Sequence, residues 1–299
     1  MPEEGIPLIT HEDILTYEEI LRIVRVFAAE GISKIRLTGG EPLVRKGIVD
    51  FISRLYQIKE IRDLSLTTNG VLLKEFAQAL KQAGLKRINI SLDSLKKERF
   101  HQITRRDYFE QVWAGIEEAL RVRLSPIKIN MVAIKGMNDD EIESFAQLTL
   151  TLPLIVRFIE YMPSGNGEEW KESDMLTIPQ IKSRLEKIGN LIHIPSDQWD
   201  GPAKRFRIEG ALGEIGLIGA ISSHFCGECN RIRLTSDGKI RTCLFSDDEM
   251  DIRELLRKGG RDEDLKERLL VALKKKPERH PINSHQFKKC QRNMSAIGG

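Results

Sequence analysis

The sequence predicts an α/β protein whose strands and helices alternate into a parallel sheet, either a barrel or a doubly wound sheet, followed by a smaller α+β region. Three observations carry that expectation. A strand–helix rhythm repeats from Thr16 to Met162, the texture changes at Pro163, and three cysteines follow with the spacing C-x2-C-x13-C, at Cys226, Cys229 and Cys243.

Length and composition set the limits. The 299 residues, 40% of them hydrophobic, suffice for one barrel-sized domain or two smaller ones. A formal net charge of +3 is too small to argue for nucleic acid, and no apolar run approaches the roughly 20 residues that span a bilayer. The opening "MPEEGIPLITHEDIL" is acidic and has no secretory apolar core, and four cysteines, three of them clustered, suit a metal site in a reducing compartment better than a disulfide framework. The expected location is the cytoplasm.

The elements follow in order. Thr16 and Glu19 form a capping box, Ile20, Val24 and Phe27 recur at helical spacing, and Gly31 stops the helix. Strands are then predicted in "SKIRLTGG", "DLSLTTNG", "RINISLDS", "IKINMVAIKG" and "IVRFIEYM", because each is a short apolar or β-branched run closed by turn residues. Between them "GIVDFISRLYQI", "LLKEFAQALKQAG", "YFEQVWAGIEEALRV" and "DDEIESFAQLTL" carry the helical period. The chain runs almost at once into a helix, whereas a complete barrel begins with a strand. The first strand is therefore expected to be missing, which leaves an open sheet edge. The polar, turn-rich "PSGNGEEWKESD" places a domain boundary between residues 162 and 163. Beyond it come a helix in "IPQIKSRLEKIG", short strands in "GALGEIGLIGAISS", the cysteine segment, and two charged helices between Asp251 and Lys276.

The cysteine spacing suits a [4Fe–4S] cluster with one iron left open to a ligand, and equally half of a zinc ribbon completed by His224 or Cys290. Arg231, Arg233 and Arg241, set among the cysteines, favour a site for an anion, since guanidinium pairs bidentately with phosphate. In "LTGGEP", two glycines mark close backbone approach beside Glu41, although a plain βα turn has the same look.

Taken together, "KIRLTGGEPLVR", "LTTNG", "RINISLDS", "ITRRD", "IKIN", "RFIEYMP", "CGECNRIRLTSDGKIRTCLF" and a terminal "GG" resemble the molybdenum cofactor biosynthesis protein A family, the radical S-adenosylmethionine GTP 3',8-cyclases, over essentially the whole chain. The resemblance implies a radical-SAM-type incomplete (β/α) barrel over residues 1–162 and an auxiliary-cluster and GTP-binding region over 163–299. It implies conversion of GTP to (8S)-3',8-cyclo-7,8-dihydroguanosine 5'-triphosphate, with Cys226, Cys229 and Cys243 holding an auxiliary [4Fe-4S] cluster whose open iron takes the substrate. Gly40, Ser91 and Met162 match contacts to S-adenosylmethionine. Arg36, Thr67, Lys128, Arg231, Ile232 and Arg233 match GTP contacts, and Gly298 and Gly299 match a functional tail. The implied partners are GTP, S-adenosylmethionine, a reductant protein and the next enzyme of molybdenum cofactor biosynthesis, with no membrane or nucleic acid; a homodimer is compatible.

The family's second, radical-generating [4Fe-4S] cluster needs a CxxxCxxC motif directly before "MP", and this sequence opens at "MPEEG". The expectation is therefore a truncated member that does not cleave S-adenosylmethionine by itself. Two other readings remain at this stage: a radical enzyme with an auxiliary cluster acting on a peptide, and a zinc-stabilised nucleic-acid-binding module.

Overall fold

The computed structural model of the chain describes residues 10–163, 170–196, 200–280, 282, 290, 292 and 294–297. In chain order its elements are α1 (Tyr17–Ala29), β1 (Lys34–Leu37), α2 (Ile48–Tyr56), β2 (Asp63–Thr68), α3 (Leu73–Gln82), β3 (Arg87–Ser91), α4 (Lys97–Thr104), α5 (Phe109–Arg121), β4 (Ile127–Ala133), α6 (Ile142–Thr151) and β5 (Leu154–Glu160). There follow α7 (Ile178–Leu185), β6 (Leu191–Ile194), β7 (Lys204–Ile208), β8 (Glu214–Ile218), β9 (Arg233–Leu234), β10 (Lys239–Arg241), β11 (Met250–Asp251), α8 (Arg253–Arg257), α9 (Asp262–Lys274) and α10 (Met294–Ile297). The five strands anticipated up to Met162 are β1 to β5. Seven elements, α4, β6, β7, β9, β10, β11 and α10, were not anticipated.

The described residues pack as two compact units. Of these, residues 65–163 and 170–225 form one; the other draws on the described residues of both ends of the chain, 10–64 and those from 226 onward. Packing therefore groups the two ends of the chain, whereas the change of sequence texture falls at 163.

In the first unit the strand order is β2-β3-β4-β5-β8-β7-β6. The pairs from β2 to β8 are parallel, and the β7 and β6 pairings are antiparallel. Each parallel strand sends an apolar row to one face. Leu66, Ile88, Ile90, Ile127, Ile129, Val156, Phe158 and Ile215 are all buried, and Ile90 and Val112 of α5 both crowd Gly70, each 3.0 Å from where a Cβ would stand. Alternation then puts Ser65, Thr67, Asn89, Ser91, Lys128, Asn130 and Arg157 on the opposite face, where register aligns Thr67 with Asn89, Asn89 with Lys128, and Asn130 with both Ser91 and Arg157. A parallel sheet with helices on one face and polar side chains on the other is the incomplete (β/α) barrel that the sequence predicts.

In the second unit Thr16 caps α1 through the anticipated box. Its hydroxyl accepts from Glu19 N at 3.1 Å, and Glu19 Oε2 accepts from Thr16 N at 2.7 Å. The apolar stripe of α1 shares a core with the C-terminal part: Ile23 and Phe27 pack with Ile240, Ile252, Leu265 and Leu269. Ion pairs join α1 to α9, Arg22 to Asp262 at 2.8 Å, and α1 to α8, Glu19 to Arg257 at 3.1 Å. β1 lies beside β2, whose first two residues belong to this unit, and Ser33 O accepts from Arg62 N at 2.8 Å. Here β9, β10 and β11 form a small antiparallel sheet. Among the described residues no helix is long and apolar enough to cross a membrane.

Candidate functional site

The polar face of the parallel sheet gathers one set of expected site residues. Thr67 is half-buried on β2, Ser91 is exposed at the end of β3, Lys128 is buried on β4, and Met162 is half-buried two residues beyond β5. Strand register places Thr67, Ser91 and Lys128 on this one face. Asn89 and Arg157 join them, both buried and neither expected from the sequence. Arg157 Nη2 donates to Asn89 Oδ1, and Asn89 Nδ2 donates to Leu66 O at 3.0 Å. Gly216 faces Arg157 across the β5–β8 ladder, and a Cβ there would sit 2.8 Å from Arg157 Cγ, so only glycine leaves room for the guanidinium stem. The buried amide oxygen of Asn130, on the same face, has no hydrogen-bond partner among the described residues. A desolvated acceptor of this kind costs about 1–3 kcal/mol unless a ligand satisfies it.

Glu160, at the end of β5, is wholly buried and was also missed. Its carboxylate accepts from Ile178 N at 3.0 Å, Ile221 N at 2.8 Å, Ser222 N at 3.0 Å and the Ser222 hydroxyl. It thereby ties the loop after β8, four residues ahead of Cys226, to the strand that ends just before Met162.

In the second unit Arg36 is exposed on β1 and Gly40 is exposed just past it. Gly39 has φ +140 and open space around a notional Cβ, so the glycine there is required by backbone conformation and not by crowding. Glu41 acts as a cap: its carboxylate accepts from Leu43 N at 3.0 Å.

The cysteine segment folds around the β9–β10 hairpin, which returns the chain from Cys229 to Cys243. Cys226, Cys229 and Cys243 are free and half-buried, with Cys226 and Cys229 joined by a short turn in which Cys229 N donates to Cys226 O at 3.1 Å. Burial pushes the Cys229 thiol up, but hydrogen bonds and charge from Arg231, with Lys276 behind them, hold it below its ordinary value. Arg233 is pushed down to about 10, first by burial and then by Arg231, while the Cys243 and Cys229 sulfurs act the other way. Two arginines confined beside thiols make a site that gains from added negative charge, as a thiolate-bound cluster or a phosphate would supply. The donor set thus fits an iron–sulfur cluster, although no group of three or more Cys, His, Asp or Glu side chains among the described residues is closed around a metal position.

Two expectations for this segment need correction. Arg241, counted with the anion-binding arginines, is fully buried and belongs to a structural network: Nη1 meets Glu249 Oε1 at 2.7 Å, and Asp247 lies 3.6 Å away. The nearby acidic run, Asp247 to Glu249, was the signal for this. Cys290, a candidate fourth zinc ligand, is buried with its thiol 3.5 Å from Leu244 O, while the other candidate, His224, has Nδ1 3.2 Å from Ala220 O. Gly298 and Gly299 lie outside the described residues.

Residues 5–149 match the Radical SAM superfamily and residues 154–282 match Molybdenum Cofactor Synthesis C. A GTP 3',8-cyclase of Heliobacterium modesticaldum is 47% identical over 300 residues, covering 100% of this chain and 92% of the relative. The GTP 3',8-cyclase of Thermodesulfovibrio yellowstonii is 49% identical over 301 residues, and that of Alkaliphilus metalliredigens 48% over 299, with the same coverage. The chain belongs to the GTP 3',8-cyclase family of radical S-adenosylmethionine enzymes.

Proposed function

We infer that the chain serves the GTP 3',8-cyclase reaction of molybdenum cofactor synthesis, with GTP and S-adenosylmethionine as substrates. Identity of close to half over the full chain carries this reading. A [4Fe-4S] cluster with S-adenosylmethionine supplies the radical in this family, and a further cluster accompanies it. The residue roles are ours to propose. Ser91, on the polar sheet face, and Met162, just beyond β5, take S-adenosylmethionine, while Thr67 and Lys128 take GTP; the unsatisfied Asn130 oxygen supports an occupant with a hydrogen-bond donor, and the positive charges of Lys128 and Arg157 on the same face support one that is also anionic. In the other unit, Gly40 offers backbone to S-adenosylmethionine and Arg36 offers charge to the triphosphate. Cys226, Cys229 and Cys243 hold the auxiliary cluster, and Arg231 and Arg233, with the backbone of Ile232, orient GTP beside it. The functional division falls between 1–162 and 163–299, and the setting is the cytoplasm.

Replacing Arg231 or Arg233 by alanine removes a charged hydrogen-bond donor and is expected to weaken GTP binding by about 1.5–3 kcal/mol, roughly 10- to 150-fold, with iron content unchanged. Calorimetric titration with GTP checks this. Unchanged affinity in both variants overturns the assignment.

A further inference from the structure

The β9–β10 ladder is short. It pairs Ile240 with Leu234 and Arg241 with Arg233, and there it stops. Just beyond it the two arms carry Cys229 on one side and Cys243 on the other, so the spacing of those thiols depends on what holds the open end of the hairpin. The buried Thr242 has a carbonyl that needs a donor there.

One side chain supplies it. Lys276 Nζ donates to Thr242 O at 2.9 Å, to Arg231 O at 2.8 Å, and lies 3.6 Å from Cys229 Sγ. An ammonium has three protons, and these three acceptors use all of them. Its position follows from packing. Leu265, Leu269 and Ala272 seat α9 in the core shared with Ile240 of β10, and the chain leaves that helix two residues before Lys276. Of the run Lys274–Lys276, the first two are exposed and only the third turns inward.

We infer that Lys276 is a positioning residue of the auxiliary cluster: its ammonium clasps the two cysteine-bearing arms at the hairpin mouth and sets a hydrogen bond and a positive charge against the sulfur of Cys229. The inference rests on the reading that these cysteines hold the cluster. A cation bonded to a ligand sulfur favours the more negative, reduced form, so the clasp also raises the reduction potential.

The test uses the full chain, reconstituted anaerobically with iron and sulfide, as wild type, K276M and K276R. Wild type takes up roughly four iron. K276M is expected to release iron to a chelator about tenfold faster and to show a lower midpoint potential in an EPR-monitored titration, while K276R stays within about twofold of wild type in release. Equal release and equal potential in K276M and wild type overturn the inference. If K276M does not fold by circular dichroism, K276Q, which keeps donors and drops the charge, is read by the same criteria. Hydrogen exchange on the metal-free chain separates the two levels: faster exchange at residues 229–233 and 242–243 in K276M but not K276R supports the clasp, and unchanged exchange refutes it. Wild type that takes up no iron refutes the cluster reading.

Discussion

The parallel sheet and the cysteine hairpin place their polar groups by different means. β4 and β5 are paired from Ile127–Leu154 through Ala133–Glu160, so the polar side chains of that face stand on a long backbone ladder. The hairpin has two register pairs and is held by side chains instead: Arg241 to Glu249, Arg292 to Glu249 at 2.7 Å, and Arg292 bidentate to Asp237 at 2.8 and 2.9 Å. A ladder distributes its strength over many peptide groups, whereas a clasp concentrates it in a few charged atoms. Single substitutions should therefore be felt far more in the hairpin.

The largest effect is expected at Glu249. Glu249→Ala leaves the fully buried Arg241 without its nearest carboxylate, and breaking a buried pair from one side costs about 3–5 kcal/mol. Denaturant unfolding gives the total, and hydrogen exchange at Lys239–Arg241 localises it. Asn89→Ala is the matching change in the sheet. It removes a bond to Leu66 O and one from the Arg157 guanidinium, an expected loss of about 1.5–3 kcal/mol with the β3–β4 ladder still protected from exchange. A larger loss for Asn89→Ala than for Glu249→Ala breaks the comparison.

The smallest expected effect sharpens it through pH. Burial works to raise the Asp237 carboxyl, but the bonds from Arg292 and Thr235 and the Arg292 charge together outweigh it and hold the group down at about 2, from an ordinary 3.8. A depressed carboxyl gives stability that is fully present above the unfolded value and is lost as pH falls through the folded one. Between about pH 4 and pH 2 the wild type should lose about 1–2 kcal/mol that Asp237→Asn lacks from the start, after allowance for solvent screening of a partly exposed pair. Melting midpoints of both forms across that range provide the measurement; parallel curves remove the clasp from the account.

The same contrast explains what the sequence could reveal. β1 to β5 were legible because parallel strands need apolar runs and turn residues at their ends. β6 and β7 were not: "LIHI" and "KRFRI" lie at a half-exposed antiparallel edge where charge interrupts the apolar pattern. α4 buries only Phe100 and has no stripe to detect. The cysteines and Arg231 and Arg233 stand out by spacing. Asn89 and Arg157 sit inside motifs quoted for the family, yet a polar residue in a strand shows nothing of its partner until register is known. Lys276 was hidden most completely, since a run of three lysines reads as solvated charge.

The pairing of α1 with α9 has a consequence for the birth of the protein. Arg22 and Asp262 are 240 positions apart, and the core around Phe27 waits for Leu265 and Leu269. Neighbouring strands of the parallel sheet can dock as they emerge from the ribosome, and α1 can meet α2 early through Tyr17 and Phe51, but the face of α1 that joins the cysteine-bearing unit has no cover until α9 has been made. During that interval Ile23 and Phe27, flanked by Ile20 and Val26, present an uncovered apolar stripe, the kind of surface that chaperones bind. The hairpin is thus among the last parts to take shape, and, on the proposal that its cysteines hold a cluster, delivery of iron and sulfide to it would follow the docking of α9 on α1.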